Sequence, residues 1–140
     1  MHLNAYLFFD GNCADAMRFY EKTLGGKLDL IKASDGPPGS APPGTENLIM
    51  HARLVVDDPG AILLASDWME SKQPYEGMKS FSVSVICETV AQAQKIFDAF
   101  ADGGQVKMPF SETFWAERFG MVTDRYGTPW MVGGGMKSSM

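Results

Sequence analysis

The stretch LNAYLFFDGNCADAMRFYEKTLGG, Leu3 to Gly26, decides the fold. Leu3 to Phe9 is aromatic and apolar, the composition of a strand. Asp10-Gly11-Asn12 is a turn. Asn12 is placed to cap a helix, because its side-chain oxygen can accept from a free N–H of the first turn. Asp15 suits the positive helix N-terminus. Ala16, Met17, Tyr20 and Leu24 recur at spacings of three and four, so the helix has one apolar face. Gly25-Gly26 stops it.

The unit returns later in the chain. Phe81 to Cys87 reads as a strand, Thr89 and Gln92 have capping-box spacing, and Val90, Ala93, Phe97 and Phe100 form a second apolar helix face before Gly103-Gly104. The glycine pairs lie 78 residues apart (103 minus 25). A strand–helix unit repeated at a fixed offset predicts two similar halves.

Between these units, Lys27 to Ala33 reads as a strand. Asp35 to Gly44 holds four prolines and three glycines, so it is an exposed loop, either a lid or a connector. Leu48 to Val56 alternates. Leu48, Met50, Ala52, Leu54 and Val56 make an apolar face, and the other face carries His51 and Arg53. Asp57 to Gly60 is a turn, Ala61 to Ala65 a short strand ending at Ser66-Asp67, and residues 68–79 a polar linker. In the second half, Gln105 to Met108, Arg118 to Thr123 and Thr128 to Val132 read as strands, with a loop over Pro109 to Glu117 and a turn over Asp124 to Gly127. Pro129 belongs at a strand's start.

Each half is therefore βαβββ. The fold class is α+β, with two duplicated βαβββ modules forming a cupped mixed sheet. The 140 residues suit a single domain: first module 1–67, linker 68–79, second module 80–133, flexible tail 134–140. The net charge of -5, with no basic cluster, argues against nucleic acid as a partner. No apolar run approaches a membrane span and no signal peptide is read at the start, so a cytoplasmic protein is expected. Cys13 and Cys87 offer no disulfide framework or zinc spacing and read as buried thiols. The ten methionines suit irregular core gaps or an adaptable binding surface.

Tyr6 to Gly26, MHARLVV around His51, ILLASD at Ile62 to Asp67 and FWAERFGMVTDRYGTPWM at Phe114 to Met131 resemble the vicinal oxygen chelate superfamily. That group includes glyoxalase I, extradiol dioxygenases and the fosfomycin and bleomycin resistance proteins. The match is to its PhnB-like subgroup. The resemblance implies two βαβββ modules, a small-molecule cup, a homodimer and, in the enzymes, one divalent metal. By position the family's metal ligands fall near Asn4 or Ala5, at Ser82 or Val83, and at about Met131. None is a good ligand for catalytic zinc, manganese or iron. No cofactor is expected on that count. A divalent metal is left open through His51 with Glu112 and Glu117. PhnB-like proteins also resemble sequences labelled demethylubiquinone methyltransferases. Asp10-Gly11-Asn12 is too short and polar for the glycine-rich cofactor turn of the doubly wound methyltransferases.

His51 is the candidate catalytic residue, as a general base or a lone metal ligand. Structurally, it could equally bond a neighbouring strand. Tyr6, His51, Arg53, Asp67 and Trp115 are the candidate ligand-binding residues. Arg53 can hold a carboxylate or phosphate or pair with an acid. Asp67 can orient the imidazole or cap a turn. Tyr6 and Trp115 offer cup lining, and Trp115 also suits a dimer contact. Three functions fit. The first is a cup that binds a small organic molecule, an anionic one favoured, without the usual metal triad. The second is a metal-dependent lyase- or dioxygenase-type enzyme using His51, and the third a dimeric scaffold with a filled cup.

Overall fold

A computed structural model describes residues 1–57 and 60–137. The chain divides into two compact units, Met1–Gly77 and Met78–Met140.

The first unit runs β1 (Tyr6–Phe9), α1 (Cys13–Leu24), β2 (Lys27–Lys32), a short 3-10 turn (Ala33–Asp35), β3 (Ile49–Asp57) and β4 (Ala61–Asp67). Its sheet has the order β1-β4-β3-β2. β1 lies parallel to β4, and the other two pairings are antiparallel. The helix covers one face. Cys13, Ala16, Met17 and Tyr20 are buried against that face, where Leu7, Phe9, Ala52, Leu54, Leu63 and Ala65 point. The strands then alternate, so Tyr6, Phe8, His51 and Arg53 fall on the helix-free face. At Gly26 (φ +93°) the chain turns into β2 so tightly that a Cβ would strike the Val55 carbonyl. Only glycine serves there.

The second unit repeats the plan: β5 (Val83–Cys87), α2 (Val90–Ala101), β6 (Gln105–Ser111), β7 (Ala116–Thr123) and β8 (Pro129–Met136). Its order is β5-β8-β7-β6, with β5 parallel to β8. Thr89 caps α2 by accepting from Gln92 N at 3.2 Å, as its spacing predicts. Phe100 stacks on Trp130 at 4.4 Å between ring centroids. The buried Asp124 carboxylate accepts from Trp130 Nε1 at 2.8 Å, Tyr126 N at 2.8 Å and Thr128 N at 3.1 Å, which locks the turn before β8. The expected duplicated βαβββ architecture is the one observed.

Several local expectations are corrected. β1 and β5 begin at Tyr6 and Val83, not at Leu3 and Phe81. Asn12 makes no side-chain cap. Met50 is exposed and Ile49 buried, because the β2–β3 register shifts between Ile31 and Lys32 and reverses the alternation there. β6 continues through Pro109, which a bulged edge strand tolerates because one side needs no ladder donor. Residues 134–136, expected in the tail, complete β8. A Cβ on Gly134 would come within 2.7 Å of the Thr89 carbonyl and 2.9 Å of Ala93 Cβ, so α2 packs directly on this backbone. The middle of the expected turn, residues 58 and 59, and the rest of the expected tail, residues 138–140, lie outside the described residues.

Candidate functional site

The helix-free face of the first sheet brings two candidate residues together. Tyr6 on β1 and His51 on β3 stand on either side of β4, and Tyr6 Oη lies 3.0 Å from His51 Nδ1. The hydrogen bond spans 45 residues of sequence. Which atom donates depends on the imidazole tautomer. Among the described residues the ring makes no other hydrogen bond, so Nε2 is left for a ligand or solvent.

Tyr6 also belongs to a row of rings. Its centroid is 5.7 Å from His51 and 5.2 Å from Phe8, and Phe8 meets Trp68 edge to face at 5.3 Å. Such contacts favour tilted and perpendicular geometries because ring faces are negative and edges positive. Tyr6 and Phe8 remain 39% and 42% exposed, so this row is surface and not core.

Arg53 lies two residues from His51 on the same face, beside Leu64 on β4 and Asp29 on β2. It is exposed and, among the described residues, makes no ion pair. Its guanidinium is free for a bidentate anion.

Asp67 is not part of this face. It aligns with Phe9 on the helix side and is 4% exposed. Oδ1 accepts from Cys13 N at 2.9 Å and Oδ2 from Ile49 N at 2.8 Å. Asp67, and not Asn12, caps α1. An Asp whose two oxygens hold backbone N–H groups is poorly placed to orient His51, so the ligand-binding expectation for Asp67 gives way to a structural one. Burial, and secondarily the Asp67 charge, pushes the Cys13 thiol up to about 12. Burial also raises Cys87. Both are free thiols and poor nucleophiles.

Trp115 lies in the second unit, edge to face with Phe119 at 5.4 Å and Phe114 at 4.8 Å. Its Nε1 is buried with no hydrogen-bond partner among the described residues. Glu112 pairs with Lys137 at 3.0 Å, and that bond holds its carboxyl below the usual range.

The metal positions implied by the family do not fit a metal. Asn4 gives its amide to the Ile62 carbonyl at 3.3 Å, Ser82 precedes β5, and Met131 offers only a thioether within β8. None supplies the imidazole or carboxylate that a divalent ion needs. Among the described residues no three His, Cys, Asp or Glu side chains are grouped to hold a metal. No helix among them is long and apolar enough to cross a membrane.

Sequence reading missed Phe8, Trp68 and Tyr75. Tyr75 Oη donates to the Phe8 carbonyl at 2.7 Å, and Trp68 Nε1 donates to the Gln73 carbonyl at 2.8 Å. Residues 68–77, read as linker, thus fold back on β1 within the first unit. The period-two parity of Phe8 with Tyr6 was a usable signal. The aromatics of the irregular segment carried none.

Paired βαβββ units with helix-free sheet faces are the frame of the vicinal oxygen chelate proteins. The model of the Glyoxalase/Bleomycin resistance protein/Dioxygenase superfamily matches residues 2–132, and the chain belongs to that superfamily. Among its relatives is the protein YjdN of Escherichia coli (strain K12), 39% identical over 144 residues and 94% of each chain. The crystal structure of protein PA1353 from Pseudomonas aeruginosa is similar at TM-score 0.88 and 43% identity, over 96% of this chain and 98% of that one. A PhnB protein from Bacillus cereus, named as a putative 3-demethylubiquinone-9 3-methyltransferase, shares the fold at TM-score 0.74 and 22% identity, over 96% and 99% of the two chains.

Proposed function

We propose that the chain is a PhnB-like binding protein that takes a small anionic organic molecule on the helix-free face of its first sheet, without the family's metal triad. The observation that carries this reading is the Tyr6–His51 hydrogen bond beside Arg53, which makes no ion pair among the described residues. If Tyr6 donates to Nδ1, the neutral imidazole carries its proton on Nε2 and donates to the ligand. Arg53 supplies charge and a planar fork, and the rings of Tyr6 and Phe8 supply apolar surface. The chain works as a cytoplasmic homodimer.

A second reading rests on the other tautomer. With Nδ1–H donating to Tyr6 Oη, Nε2 becomes a base, and the pair can move a proton to or from a bound substrate. Methyl transfer has less support, since the turn after β1 lacks the glycine-rich form that holds the cofactor of the doubly wound enzymes.

The test is calorimetric titration of the full chain with methylphosphonate and with acetate. Binding is expected to weaken by roughly tenfold or more in Arg53→Ala, the loss of a charge-assisted hydrogen bond, and to weaken in His51→Ala. Equal affinity in all three proteins would refute the site, and so would no binding by the wild type. Deuterium exchange at the α-carbon of a bound carboxylate, lost in His51→Ala, would favour the second reading.

A further inference from the structure

The first unit contains a cleft of about 440 Å³, lined by Phe8, Trp68 and residues 73–77. That volume suits a small organic ligand. The polar tips of its rings are already engaged. The Trp68 indole N–H is held by the Gln73 carbonyl at 2.8 Å, and the Tyr75 hydroxyl by the Phe8 carbonyl at 2.7 Å. Pro74 has no N–H to give. The lining therefore offers ring surface, and the perpendicular Phe8–Trp68 pair, at 89°, presents rings in two orientations.

The charge is one-sided. Glu76 lines the cleft, and among the described residues no lysine, arginine or histidine does. Burial raises the Tyr75 hydroxyl, and the Asp10 carboxylate adds to the effect, so one further carboxylate lies near this hydroxyl. Aromatic faces and carboxylates both attract cations, and neither rewards an anion.

We propose that this cleft binds a small organic cation, an alkylammonium group seated against Phe8, Trp68 and Tyr75 with Glu76 as counter-charge. It shares Phe8 with the Arg53 site and is opposite to it in charge preference. The row of rings from Trp68 through Phe8 and Tyr6 to His51 joins the two along β1. The cation site does not depend on the anion site.

The experiment is titration of the full chain with choline and with its uncharged isostere 3,3-dimethylbutan-1-ol, followed by calorimetry and tryptophan fluorescence. Choline is expected to bind and the alcohol to bind roughly tenfold more weakly or not at all. Trp68→Leu should lose choline, Trp68→Phe should keep most of the affinity and serve as the folding control, and Glu76→Gln should weaken binding and flatten its salt dependence. Arg53→Ala should bind choline like the wild type, which separates this result from the anion test. The proposal is overturned if the alcohol binds as well as choline, if Trp68→Leu binds choline unchanged, or if wild-type protein binds neither.

Discussion

Asp67 Oδ1 accepts the Cys13 backbone N–H at 2.9 Å, tying the end of β4 to the start of α1 across 54 residues. Its other oxygen holds Ile49 at the start of β3. One buried carboxylate thus fixes three elements beneath the candidate face. Asp67→Ala would leave two N–H groups without their acceptor, and Asp67→Asn would turn an N–H toward one of them. Each change is expected to cost about 2–4 kcal/mol, read as a lower denaturation midpoint at unchanged slope. A loss below about 0.5 kcal/mol would show that this cap does not hold the elements together.

The Tyr6–His51 bond predicts a tautomer effect. Tyr6→Phe removes the partner of Nδ1, so the imidazole nitrogen shifts of His51 in long-range ¹H–¹⁵N spectra should move toward those of a free ring. The stability change should stay within about 1 kcal/mol, because the bond is exposed. Unchanged nitrogen shifts would mean that the bond is not formed in solution.

Cys13 gives a pH prediction. Its folded pKa lies above the unfolded value, at about 12. The neutral thiol is therefore the form the fold stabilises. That contribution is complete below the unfolded pKa, near 9, and is lost as pH rises from there toward about 12. Stability should decline over that alkaline window, less steeply in Cys13→Ala after allowance for the cavity. Native protein should resist iodoacetamide at pH 8.5, and unfolded protein should react at both thiols. Rapid native alkylation of Cys13 would contradict its burial.

Gly134 tests the end of the chain. Gly134→Ala places a methyl within 2.7 Å of the Thr89 carbonyl and 2.9 Å of Ala93 Cβ. Overpacking of this kind is expected to cost about 1–3 kcal/mol by thermal or urea unfolding. A dispensable tail would show no change.

The helices were legible because an apolar stripe at period 3.6 must be buried whatever it meets. The face of β3 was legible because strand parity is local, which is how His51 and Arg53 were found together. Parity failed at Met50, where a register shift set by the partner strand reversed it. Asp67 was ambiguous in sequence for a related reason. A carboxylate next to a strand end looks the same in sequence whether it faces a ligand or a helix terminus, and only the parallel pairing of Phe9 with Asp67 decides.

The sequence by itself determined the repeated βαβββ plan and the polar pair on β3, since propensity, periodicity and turn chemistry act within a few residues. Tertiary structure alone decided that Tyr6 reaches His51 across an intervening strand, that Asp67 serves the fold, and that Trp68 and Tyr75 fold back to line a cleft on β1. The physical reason is that these contacts join residues tens of positions apart. Their partners are chosen by strand order and packing, and no local pattern encodes that choice.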